Sequence, residues 1–381
     1  MKLSPRVLIM ITLFLLIYSA FNVYIGLNGL VYLESLDFQV TPWLYWTLLM
    51  IIAFSYLFGR LPILQGRTTR FLKVIGSYYF AIMEYSIILL PLVNLAAWLL
   101  KRSGVDSSSY IPLLGSSVLV IFAILLLWGS RNAWSPVVRT YDFKVDKQAG
   151  GLKDLRVAMV SDIHLGNIVG NRHLSKLVSR MNTLQPDLIL LPGDIIDDDI
   201  EPFLRNSMST VMKELKAKYG VFAALGNHEY YGGHLESYTR EMNSIGIKVL
   251  LDETILVNDA FYVVGRKDKT AETMEPNGRL PVSELLQPLD HTKPIIVMDH
   301  QPYRFDLASA AGADVLLSGH THRGQFAPNH WVTGRLFEID WGYLLKDKLH
   351  VIVSSGYGTW GPPIRLASRS EIIELVIHFR E

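Results

Sequence analysis

The first third of the chain is a succession of long apolar stretches. Residues 7–33 carry no charge over 27 positions and residues 40–59 none over 20; residues 74–100 hold one acid, Glu84, and residues 111–128 add 18 uncharged positions. A helix needs about 20 apolar residues to cross the hydrocarbon of a bilayer. The pattern therefore predicts a four-helix transmembrane anchor over residues 1–130. Its first stretch far exceeds the roughly 7–15 apolar residues of a cleavable signal core. Residues 131–155 read as a polar, glycine-containing linker with a first strand near 138–145. From residue 156 the pattern changes to short aliphatic runs that stop abruptly in polar residues. Run 156–160 leads into Ser161-Asp162-Ile163-His164, 188–191 into Pro192-Gly193-Asp194, and 221–225 into Gly226-Asn227-His228-Glu229. Run 295–298 leads into Asp299-His300, and 315–317 into Ser318-Gly319-His320-Thr321-His322. Such runs predict strands buried on both faces. Helices predicted at 171–184 and 205–219 alternate with the first three, which argues an α/β domain over 156–381. Ligands of open α/β sheets bind beyond the carboxyl ends of strands, so five strand ends converge on one site.

Charge sharpens this division. Residues 1–130 hold eight basic and four acidic side chains, whereas the other 251 residues hold 28 and 31, and all 11 histidines. The chain's net charge of +1 thus averages a sparsely charged, basic anchor and an acidic domain. An apolar content of 50% excludes a disordered chain. The absence of cysteine excludes disulfides, thiolate metal sites and cysteine nucleophiles. The acidic domain has no basic tract, so nucleic acid is not an expected partner. Lys2 and Arg6, then Arg60, Arg67, Arg70 and Lys73, then Arg131 and Arg139 flank alternate stretches. The positive-inside rule therefore predicts an integral, multi-pass membrane protein whose C-terminal domain is cytoplasmic; Lys101 and Arg102 run against it. Glu84 and Asn94 are candidates for contacts between helices.

The residues gathered at the strand ends are Asp162, His164, Asp194, Asn227, His300, His320 and His322. Imidazole, carboxylate and amide donors together suit Mn, Fe, Zn, Co or Ni and are too nitrogen-rich for calcium or magnesium. Seven donors are too many for one tetrahedral ion and suit two ions sharing a carboxylate. Two ions about 3.5–4 Å apart clamp the attacking and leaving oxygens of an in-line displacement at phosphorus. No G-x-S-x-G or P-loop supports acyl-enzyme or NTPase chemistry.

In this order, DIHLG at 162–166, GDIID at 193–197, GNHE at 226–229, DHQP at 299–302 and GHTH at 319–322 resemble the calcineurin-like metallophosphoesterase family. The resemblance implies two packed mixed sheets flanked by helices and two divalent ions, manganese first among them. It implies that Asp162, His164 and His322 hold one ion, that Asn227, His300 and His320 hold the other, and that Asp194 bridges them. A metal-bridging hydroxide would attack the phosphoester or pyrophosphate in line, and His228 would contact the phosphoryl group and protonate the leaving oxygen. Asp197 either orients a ligand histidine or belongs to a solvated acidic run, 197–199.

GHTHRGQ with the later GYGTWGPPIR resembles the membrane-associated branch of that family, which includes UDP-2,3-diacylglucosamine pyrophosphatases. Arg323-Gly324 stands where many relatives have Gly-Gly. Arg323 and Arg365 are candidate substrate contacts, and the aromatics of 323–343 suit either a core hairpin or a lipid phosphate. The leading expectation is a membrane-anchored phosphohydrolase acting on a phosphoester, lipid-linked or membrane-proximal. A catalytically weak sensor or scaffold, and a transporter with a regulatory phosphatase domain, are the alternatives. The oligomeric state is left open.

Overall fold

The computed structural model describes residues 5–61 and 66–380, so Lys2 of the basic tail lies outside the described residues. Four helices open the chain: α1 (Pro5–Ser35), α2 (Pro42–Phe58), α3 (Gly66–Arg102) and α4 (Ser107–Trp134). Three of them, α1, α3 and α4, are long and apolar enough to cross a membrane, which corrects the expected four. The reason lies at the ends of α2. Pro42 starts the helix after Thr41 and Gly59 caps it, leaving 17 helical residues, about 25 Å at 1.5 Å each, against about 30 Å of hydrocarbon. Asn94 donates to the Tyr24 hydroxyl at 2.7 Å, tying α3 to α1.

The chain divides into two compact units, Met1–Trp128 and Gly129–Glu381. The second begins with the last turns of α4, so part of the expected linker is helix, and Trp134 is followed almost at once by β1 (Val137–Val145). Two six-stranded sheets follow. The first has the order β1–β12–β2–β3–β4–β5, with β2 (Asp154–Met159), β3 (Leu188–Pro192), β4 (Val221–Ala224), β5 (Ile247–Val249) and β12 (Glu371–Phe379). The second has the order β10–β11–β9–β8–β7–β6, with β6 (Glu253–Val257), β7 (Phe261–Gly265), β8 (Ile295–Met298), β9 (Val315–Ser318), β10 (Gly342–Lys346) and β11 (Leu349–Val353). Strands β2 to β5 run parallel, as do β7, β8, β9 and β11, while antiparallel neighbours make both sheets mixed.

Side chains alternate along each strand, which builds the layers. Val157 and Met159 of β2 meet Ile296 and Met298 of β8 and Leu317 of β9 between the sheets. Ala158 points the other way, onto Leu174, Leu177 and Met181 of the helix Asn171–Thr183. Ile295 and Val297 form the core outside the second sheet with Phe305 and Leu316. Every residue of β3, β4, β8 and β9 is buried, as continuous apolar runs require. The helix expected over 205–219 is absent; two short helices, Glu201–Arg205 and Met208–Met212, stand there instead. Ser207 breaks the run at φ 49°, a left-handed conformation that no helix interior contains.

Candidate metal centre

The carboxyl ends of β2, β3, β4, β8 and β9 meet at one place. His300 Nε2 lies 3.0 Å from Asp194 Oδ2, and His164 Nε2 lies 4.0 Å from the same oxygen. His164 Nε2 and His322 Nε2 are 3.0 Å apart, and His322 Nε2 is 3.5 Å from Asp162 Oδ1. His320 Nδ1 is 2.8 Å from Asn227 Oδ1. Six of the seven fall in two neighbouring groups, Asp162/His164/His322 and Asp194/His300/His320, and His228 also lies close to His164 and Asp194. All seven predicted donors are therefore brought together, and six of them are buried, with His320 part-buried.

The backbone is contorted to achieve this. Asp162, His164, Asp194, His320 and His322 all adopt positive φ, between 48° and 72°. Each such residue costs of order 1–3 kcal/mol and persists only where its surroundings over-determine it. Two glycines permit the close approach. A Cβ on Gly226 would stand 2.1 Å from Asp194 Oδ1, and one on Gly319 would stand 2.1 Å from Asp162 Oδ2.

The donor chemistry fits cations. Asp162 Oδ2 and His300 Nε2 are buried without a well-formed hydrogen bond. Burial, with Asp194 adding to it and His300 opposing, pushes Asp162 up to about 6. Burial above all, with His228 adding, holds His164 down to about 4, and burial with His300 does the same to His320. At His300 burial is outweighed by Asp194 and Asp162, which raise it, whereas the neutral imidazoles of His164, His320 and His322 present lone pairs to a space that a divalent cation satisfies. The His300 ring is fixed by Nδ1, 2.9 Å from the Pro192 carbonyl, which leaves Nε2 facing Asp194.

His228 follows Asn227 in the short helix Asn227–Gly232 that opens after β4. Its backbone N–H donates to Asp194 Oδ1 at 2.9 Å. Its Nδ1 lies 2.8 Å from Asp198 and 3.5 Å from Asp197. Burial is the largest influence and favours the neutral ring, yet Asp197, Asp198 and Asp194 together outweigh it and push His228 up to about 11. Asp197 thus faces His228 more closely than His164, which lies 4.0 Å from it.

Sequence reasoning missed three supports. Asp198 is the carboxylate nearest His228. Glu229, buried, accepts N–H groups from Gly226, Asp194, Ile195 and Ile196 at 2.7–3.1 Å, pinning the loop that carries Asp194 to the one that carries Asn227. Its signal was available as the last letter of GNHE. The third is the real role of Arg365. In place of facing a phosphate, it is fully buried and spends every N–H within the fold. Nε and Nη2 donate to the Gly358 carbonyl, Nη1 to the Ser355 carbonyl and the Ser368 hydroxyl, and Nη2 also to His322 Nδ1 at 3.0 Å. Arg365 therefore positions His322, whose Nε2 turns to the site. Arg323 is part-buried, with its guanidinium 4.2 Å over the Trp341 ring.

Groups behind metal ligands commonly carry about 10–100-fold in metal affinity. Arg365→Lys, which supplies three donors where five are used, is expected to weaken one of two bound ions by about that factor and to spare the other. Metal titration against a competing chelator reads the two affinities separately.

The calcineurin-like phosphoesterase family profile matches residues 155–324. A transmembrane protein with a metallophosphoesterase domain from Danio rerio is 32% identical over 270 residues, 68% of this chain and 61% of that protein. An uncharacterised metallophosphoesterase of Campylobacter jejuni is 30% identical over 264 residues, 68% of each chain. A UDP-2,3-diacylglucosamine pyrophosphatase of Chlamydia muridarum is 22% identical over 316 residues, 66% of this chain and 93% of that protein. The matched region thus spans about two thirds of the length of the first two relatives.

Proposed function

The chain belongs to the calcineurin-like metallophosphoesterase family and is a metal-dependent phosphoesterase; from that premise we propose that it is a membrane-anchored phosphohydrolase cleaving a phosphoester or pyrophosphate of a lipid-linked substrate. The observation that carries the reading is the pair of adjacent donor groups, Asp162/His164/His322 and Asp194/His300/His320, in a chain with three helices apolar enough to span a bilayer. Asp162, His164 and His322 would hold one ion, and Asn227, His300 and His320 the other, with Asp194 shared; manganese is the proposed metal. Bound there, divalent cations supply Lewis acidity and charge neutralisation for an in-line displacement at phosphorus.

The chain's own groups do the rest. Glu229 and the Asp194 loop fix the shared carboxylate. His228, held charged by Asp197 and Asp198, delivers a proton to the leaving oxygen. Arg323 offers its guanidinium to a phosphoryl oxygen from its perch on Trp341. The lipid-linked character is supported by the Chlamydia muridarum relative, a UDP-2,3-diacylglucosamine pyrophosphatase, and by the anchor.

The catalytic domain is proposed to face the cytoplasm. Arg60, Arg67, Arg70 and Lys73 precede α3, and Arg131 and Arg139 accompany the end of α4. These two basic groups lie on the same side as the domain whether or not α2 crosses, so the positive-inside argument holds for a three-span anchor; the N-terminus and the α1–α2 loop change sides.

The test is a substrate panel on the full chain in lipid nanodiscs with Mn²⁺. It should contain bis(4-nitrophenyl) phosphate, a UDP-linked diacylated glucosamine, its deacylated counterpart and phosphatidic acid. Metal-dependent turnover is expected, with the acylated substrates ahead of the deacylated one. Protein carrying two ions per chain and turning over none of them would refute the enzyme and favour a binding module.

A further inference from the structure

Directly after His322 the chain leaves the metal centre on an excursion that returns at β10. It passes through positive-φ residues Arg323, Gly324 and Gln325 into the helix His330–Leu336. None of the seven residues of that helix is buried. Trp331, Val332 and Leu336 are 64%, 55% and 73% exposed. At about 100° per residue, Trp331, Arg335, Val332 and Leu336 fall within one arc of about 140°. Thr333 lies outside that arc and is tied inward, its hydroxyl donating to the Asp340 carboxylate at 2.5 Å. The arc is thus an outward apolar face with one arginine in it. Trp360, 60% exposed, is held to the start of the same excursion: Gln325 accepts the Trp360 N–H and donates to its carbonyl, both at 3.0 Å.

This surface is linked to the end of α4 by backbone. Leu366 N–H and Ala367 N–H donate to the Gln325 carbonyl, and the adjacent Arg365 N–H donates to the Gly129 carbonyl. Asn132 bonds the Arg365 carbonyl and receives Ser370 N–H. Gly129 stands where the uncharged part of α4 stops, just before Arg131. Scattered exposed apolar residues are ordinary, but a gathered patch marks an interaction surface.

We propose that the outward face of the helix His330–Leu336, with Trp360, lies in the headgroup layer of the bilayer that α4 enters, as a second membrane contact beside the anchor. Continuity with α4 selects the bilayer as occupant. Tryptophan favours the interface, a short amphipathic helix lies along it, and Arg335 meets anionic headgroups. The Phe337 ring is 6.2 Å from that of His320, and the Thr321 hydroxyl donates to the Asp340 carbonyl. The contact therefore holds the edge of the metal centre to the lipid surface.

The proposal rests on α4 being a span, and the test separates the two. The absence of cysteine makes single-cysteine labelling clean. Trp331→Cys, Leu336→Cys, Leu256→Cys (on β6, at the sheet edge opposite β10) and Leu119→Cys (in α4) would each carry a small fluorophore, in the full chain. The chain would sit in nanodiscs of phosphatidylcholine and phosphatidylglycerol. Labels at 331 and 336 should be quenched by lipid bearing a nitroxide near the headgroup and shielded from aqueous iodide relative to 256. Iodide quenching equal to that at 256 overturns the proposal. Shielding without lipid quenching also overturns it and assigns the face to a protein partner or a second copy. The label at 119 reports independently whether α4 lies in lipid.

Discussion

Asp194→Asn is expected to lower turnover of bis(4-nitrophenyl) phosphate by about 10³-fold, some 4 kcal/mol of barrier, while the protein still folds. Asp194 is the donor proposed to serve both groups. Its Oδ2 stands 3.0 Å from His300 Nε2 and 4.0 Å from His164 Nε2, and its Oδ1 accepts the His228 N–H. Asparagine keeps the shape and an acceptor oxygen, so the Glu229-pinned loop remains. What it removes is the charge that would offset two cations held close together. The same substitution should therefore reduce bound metal from two ions per chain to one or fewer, measured by elemental analysis after dialysis. It should also shrink the rise in melting temperature on adding Mn²⁺, since a ligand stabilises only in proportion to its binding. Full metal content with full activity would remove Asp194 from the bridging position.

The site was legible because its information is local. Each donor follows a strand end within two to five residues, and a buried strand announces itself as an uninterrupted apolar run. His320 and His322 come from β9 and Asp162 and His164 from β2, and no long-range inference was needed to guess that these ends converge. What escaped depends on distance in sequence or on chain ends. Arg365 lies 43 residues from His322, and an arginine near a phosphoesterase motif reads naturally as a substrate contact. Only its complete burial shows that its five donors are consumed holding loops and His322. Glu229 is visible as the last letter of GNHE, but its partners on the Asp194 loop lie 33–35 residues away, and spacing does not reveal them. At α2 the absence of charge predicts a span, whereas helix length is set by Pro42 and Gly59. The break at Ser207 reflects a turn that packs two short helices, where residue propensities favoured one long one.

The second large effect concerns His228 and discriminates its role by leaving group. A general acid contributes about 10²–10⁴-fold where the departing oxygen needs a proton and little where it does not. His228→Gln should therefore lower kcat by about that factor for an alkyl phosphodiester and by less than about tenfold for a 4-nitrophenyl ester, whose leaving group departs as the anion. A uniform loss across the series would instead mark His228 as a phosphoryl-binding or metal-supporting residue. The pH profile supplies an independent check. Burial favours the neutral ring, but Asp197, Asp198 and Asp194 raise His228 to about 11, and two bound cations pull it back down. Activity needing the protonated ring is present below that pKa and lost as pH rises through it. Asp198→Asn removes the carboxylate 2.8 Å from Nδ1, so the ring loses its proton sooner and the basic limb should move to lower pH. In His228→Gln that limb should disappear from the alkyl-ester profile. A basic limb unmoved by both substitutions would assign the proton to another group.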